Sequence, residues 1–104
     1  MKLRLQAKSL IVRLDGAEAR RLLEDGEIAE RFFLPGTSLG FQLRLIEGDA
    51  PFRLDFSADT LQLSGVVGRA RFAAEHARPS KNGLKSENET GSAALQIDLK
   101  SVKA

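Results

Sequence analysis

Arginine is the residue type this sequence repeats where chemistry could be done. Arg4, Arg13, Arg31, Arg44 and Arg53 each occupy a polar position in a stretch where polar and apolar residues alternate. Alternation with period two marks a strand with one face in a core. Placing the apolar set inward sends these five arginines to the opposite face with Lys2 and Lys100, interleaved with Gln6, Gln42, Asp55, Gln62 and Asp98. Guanidinium forks match carboxylate and phosphate bidentately, so five on one sheet face would form an anion-binding surface for a phosphorylated small molecule. The plainer reading, which carries more weight, is a solvated face with cross-strand ion pairs to Asp55 and Asp98. Nucleic acid is disfavoured as a partner. The chain has no Trp and no Tyr, its six Phe fall mostly at inward positions, and its net charge is only +2, whereas single-strand recognition leans on aromatic stacking and basic grooves.

Few other residues offer a reaction. There is no cysteine, which removes disulfides, thiolate nucleophiles and sulfur-ligated metals, and the one histidine, His76, excludes any site needing two imidazoles. Glu75-His76 could act as a base or as one edge of a metal site, but a histidine near a helix end more often meets the C-terminal dipole. Glu30 shares strand parity with Ile28 and Phe32; buried, it would be a functional candidate, while at an edge or beside an arginine it would be structural. Ser9, Thr37, Ser38 and Ser64 lack a histidine at any recognised spacing, and Gly65-Val66-Val67-Gly68 lacks the glycine and lysine spacing of a phosphate loop. Asp49, Asp55 and Asp59 do not fit a calcium-binding loop. No catalytic residue, metal ligand or cofactor is assigned.

The elements that would position the arginines follow from pattern. The chain has 104 residues, 42% apolar and 29% charged, which suits a single domain, 1–104, with a core of its own. Leu3 and Leu5, then Val12 and Leu14, predict a hairpin turning at Lys8-Ser9. Asp15 with Glu18 predicts a capped helix carrying Ala19, Leu22 and Leu23 inward and stopped by Gly26. Strands follow at Glu27–Leu34, with Ile28, Phe32 and Leu34 inward, and around Leu39–Leu45. A second hairpin carries Phe52, Leu54 and Phe56, then Leu61 and Leu63. Ser64 and Gly65 open a second helix reaching His76, although the β-branched Val66 and Val67 also allow a strand. Residues 77–91 read as a flexible, exposed loop, and Leu95, Ile97 and Leu99 as a closing strand.

Shifting the sequence by 49 residues sets Leu3 on Phe52, Arg4 on Arg53, Asp15 on Ser64, Gly16 on Gly65 and Leu23 on Phe72. This suggests two repeat-like halves, 2–46 and 51–100. The expected architecture is α+β: a mainly antiparallel sheet of about seven strands with two short helices, in a pseudo-twofold β-β-α-β repeat.

Lys-Leu-Arg-Leu, Ser-Leu-Ile-Val-Arg-Leu, the helix opening Asp15-Gly16-Ala17-Glu18-Ala19 and the step Asp25-Gly26-Glu27-Ile28-Ala29-Glu30 together resemble a family of short uncharacterised bacterial proteins. That family has a charged N-terminal β-hairpin followed by a capped helix. The likeness extends over nearly the whole chain and is weaker in the second half; Lys81 to Thr90 and the tail after Leu99 depart from it. It implies an architecture and no activity. The expected function is a small non-catalytic binding or interaction module that self-associates, a homo-oligomer or a protein partner's counterpart, because few prolines block its edge strands. The contrasting expectation is a protein that binds a small anionic ligand on the arginine face, as a binding protein or a weak enzyme. No stretch has the length and apolarity of a membrane span and the N-terminus has no apolar leader, so a cytoplasmic location without membrane contact is expected.

Overall fold

Alternating apolar residues make strands here because one face of each can be buried against a second layer. The computed structural model describes residues 1–80, 82–87 and 91–98. In chain order the elements are β1 (Lys2–Gln6), β2 (Ser9–Leu14), α1 (Gly16–Asp25), β3 (Glu27–Leu34), β4 (Thr37–Ile46), β5 (Arg53–Ser57), β6 (Gln62–Gly68), α2 (Arg69–Ala77), β7 (Leu84–Glu87) and β8 (Ser92–Ile97). The class is α+β, but the strands do not make one antiparallel sheet of seven. Eight described strands form two four-stranded mixed sheets, ordered β1-β2-β8-β7 and β3-β4-β6-β5.

Each sheet joins two antiparallel hairpins through a parallel inner pair, β2 with β8 and β4 with β6. Alternation reveals a hairpin, because its two strands are close in sequence. It carries no information on which distant hairpin lies alongside, or in which direction, so the parallel seams were invisible to the pattern.

The sheets enclose one apolar core, in which Phe41, Phe52, Phe72, Leu14, Leu22, Leu43, Leu95, Val12 and Val67 are fully buried. Trimming any of the three phenylalanines to alanine would cost about 3–5 kcal/mol. Edge strand β5 of the second sheet approaches edge strand β7 of the first. Near the other pair of edges, the amino group of Met1 contacts the Glu18 carboxylate and lies 3.7 Å from that of Glu30.

Helix α1 begins as its sequence dictates. The Asp15 carboxylate accepts the Glu18 amide at 2.8 Å while the Glu18 side chain accepts the Asp15 amide at 3.0 Å. It ends at Gly26, which adopts the left-handed backbone (φ +83°) that a glycine enters without penalty. Helix α2 does not start at Ser64. Strand β6 continues to Gly68, with Val66 and Val67 aligned with Arg44 and Leu45 of β4, and α2 starts at Arg69 with no side-chain cap. The cap positions are therefore Asp15 and Gly68, 68 − 15 = 53 residues apart, and the 49-residue shift does not superpose the helices. Valine's stiff side chain prefers the pleated surface, and the core contact outweighed the capping potential of Ser64.

Within residues 77–91, expected as a loop throughout, Leu84–Glu87 pairs with β8 as strand β7. One apolar residue, Leu84 opposite Leu95, was too weak a signal to mark it. Lys81 and residues 88–90 of that loop lie outside the described residues, as do Leu99 and Lys100.

Candidate functional site: the open end between the sheets

The turns of the first three hairpins, and the strand ends Glu87 and Ser92 of the fourth, lie at one end of the molecule, and both helices at the other. In the first sheet Ser9 aligns with Ser92, so the β1–β2 turn and the start of β8 share an end. In the second, Gly40 aligns with Gln62, placing the β3–β4 and β5–β6 turns together. The helix end is sealed. The Arg69 guanidinium donates to the Leu23 carbonyl at 2.8 Å, the Leu45 amide to the Gly26 carbonyl at 2.8 Å and the Asp98 amide to the Leu14 carbonyl at 2.7 Å.

The turn end is open. The edge strands are left uncovered there, so Leu5 of β1, Leu34 of β3 and Phe56 of β5 face inward yet are 75%, 51% and 53% exposed, although Leu10 and Leu63, opposite Leu5 and Phe56 on the inner strands, are buried. Leu5 was expected in the core; its row partner Leu10 on the inner strand β2 is there, but Leu5 itself stands uncovered on edge strand β1, as Phe56 does on edge strand β5 beside buried Leu63. Between these residues lies a cavity of about 410 Å³ whose walls present only carbon, with Leu5, Leu34, Phe56 and Leu61 at its mouth and Leu10 and Leu63 at its floor. An adjoining cavity of about 520 Å³ shares Leu5, Leu10, Phe56 and Leu63 and adds Lys8, Ser9, Ser92 and Asp55. Leu61 is the one non-glycine described residue with positive φ, at 50°. A leucine in that region is uncommon, since its Cβ crowds the backbone.

The arginines are exposed, as expected, but not on one face. Arg4 and Arg13 lie on the outer face of the first sheet; Arg31, Arg44 and Arg53 lie on that of the second. Arg13 donates to the Gln96 side-chain oxygen at 3.3 Å and Arg31 to the Ser38 hydroxyl at 3.0 Å. Arg44 and Arg53 share a row, flanking Val66, two strand spacings or about 10 Å apart. Glu27 occupies the other side of Arg44, and Asp55 the same strand as Arg53. The surface resembles the plainer expectation, mixed and solvated, more than a convergent anion cradle.

Glu30 is not buried: its side chain is 42% exposed near the Met1 amine. Glu75 accepts hydrogen bonds from the Ser80 amide at 2.7 Å and hydroxyl at 3.0 Å, closing the end of α2 rather than serving His76. Among the described residues no three His, Cys, Asp or Glu side chains gather in a way that would hold a metal ion, and no helix is long and apolar enough to cross a membrane. The sequence reading missed the mouth. The available signal was that Leu5, Leu34, Phe56 and Leu61 each stand within two residues of a turn.

The chain is thus a two-sheet α+β domain whose turn end is open and lined by apolar side chains. Residues 1–100 match a family described as a family of unknown function, DUF7009, and the chain belongs to that family. No curated protein and no solved structure matches it.

Proposed function

We propose that the protein is a non-catalytic binding module that self-associates through strand β3, pairing antiparallel with β3 of a second copy. The observation that carries this reading is β3 itself. It is an eight-residue edge strand whose outer side pairs with no described strand, and its far half projects beyond the rest of its sheet, since β6 reaches only as far as Gly40 of β4. That projecting ribbon carries Phe33, 80% exposed, on the outer face. A long edge with apolar side chains and no proline invites strand addition. A twofold register that sets Ala29 opposite its own copy places Glu27 opposite the partner subunit's Arg31, giving two cross-strand pairs of opposite charge.

Light scattering during size exclusion, over a range of concentrations, tests this. The native chain is expected to run as a dimer that dissociates on dilution. Glu27→Arg or Arg31→Glu alone sets like charges opposite one another and yields a monomer, while the double exchange restores the dimer. Circular dichroism checks that each variant is folded. A native monomer at high concentration, or singles that dimerise unchanged, refutes the reading.

The same proposal takes residues 2–46 and 51–100 as two copies of one unit. Support comes from recurrence: hairpin, helix, hairpin is met twice, and inner-strand rows correspond, Val12–Leu95 in one sheet with Gly65–Leu43 in the other.

A further inference from the structure

The mouth at the turn end calls for a different occupant from the β3 edge, because its chemistry is different. Water is a poor filling for the inner cavity, since an ordered water needs two to four polar partners and these walls present only carbon. A polypeptide is a poor filling too, because its amides would be buried there without partners. The volume, about 410 Å³, lies in the range of small-molecule sites. The neighbouring cavity, which shares Leu5, Leu10, Phe56 and Leu63, adds what the inner one lacks, a cationic residue at its edge, Lys8 of the β1–β2 turn. Ser9, Ser92 and Asp55 also border it but stand at outward strand positions, in the rows of Gln6 and Ser64.

We propose that this end of the molecule binds a single-chain aliphatic carboxylate of medium length, its hydrocarbon tail between Leu5, Leu34, Phe56 and Leu61 and its head at the rim beside Lys8. A tail fits walls that offer no hydrogen bond. Its carboxylate finds a cation in Lys8, on the β1–β2 turn at the edge of the adjoining cavity. Leu61 points the same way. A turn residue with left-handed backbone is ordinarily glycine or asparagine, and a leucine held there presents an apolar side chain to the mouth at a conformational cost. The site does not depend on self-association, since it uses inward positions and the hairpin tips, not the outer side of β3.

The probe is a dansylated undecanoate, whose emission rises in an apolar site; a chain without Trp or Tyr contributes little background. On the full chain the probe is expected to brighten saturably, to be displaced by decanoate, and to be displaced by decanol about five-fold less well, the worth of one exposed charge pair. Lys8→Gln should erase the difference between acid and alcohol. Leu61→Asn should weaken probe binding about ten-fold while leaving the thermal midpoint unchanged or raised, because asparagine enters the left-handed region more readily; a leucine with only a structural role would instead lower the midpoint and leave binding alone. Arg31→Glu, which removes the β3 dimer, should leave probe binding intact, so the two readings fail separately. No saturable brightening by the folded chain, equal displacement by decanol and decanoate, or undiminished binding by Leu61→Asn overturns the proposal.

Discussion

A methyl group on Gly68 would have nowhere to go. A Cβ built there lies 2.3 Å from the Ala50 nitrogen, 2.6 Å from the Gly48 oxygen and 2.8 Å from the Asp49 carbonyl carbon, all backbone atoms that cannot rotate aside. The same segment is tied to the start of α2 by two hydrogen bonds, the Gly68 amide to the Ala50 carbonyl at 2.9 Å and the Ala70 amide to the Gly48 carbonyl at 3.0 Å. To admit Gly68→Ala the loop must move by about an ångström. That strains both bonds, worth roughly 0.5–1.5 kcal/mol each, and adds an overpacking cost of about 1–3 kcal/mol. The expected loss is therefore about 2–4 kcal/mol, which for a domain of this size lowers the thermal midpoint by roughly 10–20 °C. Far-UV circular dichroism in urea and on heating measures it without relying on Trp or Tyr. Gly65→Ala is the control. There the nearest atoms are the side-chain tips of Leu43, Leu54 and Phe52 at 3.0–3.3 Å, which can shift, so the cost is about 1 kcal/mol. A Gly68→Ala protein within about 0.5 kcal/mol of the native chain, or a Gly65→Ala protein that loses more than it, would refute the reasoning that the β4–β5 loop is seated on the head of α2.

Two further outcomes are expected. Asp15→Ala removes one half of the α1 capping box and should cost about 1 kcal/mol in urea unfolding, whereas Ser64→Ala, on an exposed strand position, should change stability by less than about 0.5 kcal/mol. Phosphate titrated against the native chain should give no saturable shift of the Arg44 and Arg53 backbone amides by NMR, because the arginines are split between two outer faces; shifts that saturate and vanish in Arg44→Gln/Arg53→Gln would reinstate an anion site.

Local information made the local structure legible. The capping box at Asp15 and Glu18, the stop at Gly26, the inward set of Leu43, Leu54, Ile28 and Leu95, and the outward arginines all follow from spacing within a few residues, and each stands where the alternation places it. What failed to show was decided at long range. Ser64 has the side chain of a helix cap, but Gly65 fits under Leu43, Leu54 and Phe52 only as part of the sheet, so the packing of three separate segments set the strand's end. The arginines alternate identically in both sheets, and nothing in period two says that Arg4 and Arg44 face away from different layers. Leu5 shows the limit most plainly: parity gives the direction a side chain takes, whereas depth depends on what the other sheet offers opposite it.

The open mouth follows from where the helices sit. α1 leaves the end of β2 and α2 leaves the end of β6, and the inner strands point the same way, as the seal between α1 and α2 at Arg69 and Leu23 requires. Both helices are thus spent on one end. The β1–β2, β3–β4 and β5–β6 connections at the other end are too short to fold over it, and most of the inward residues beside them are as apolar as those in the core: Leu5, Leu34, Phe56 and Leu61. A surface under no constraint but solubility would carry polar residues there, as the outer faces do at Gln6, Gln42, Ser64 and Gln62. Burying Phe56 or Leu5 from its present exposure is worth roughly 1–2 kcal/mol each, so an occupant of the mouth gains from several such residues at once, and the stability of the chain should rise when the mouth is filled. That linkage separates a binding site from an incidental gap: decanoate should raise the thermal midpoint of the native chain and leave that of Leu61→Asn little changed. A midpoint that ignores decanoate at concentrations where the probe is displaced would mean that the ligand binds elsewhere.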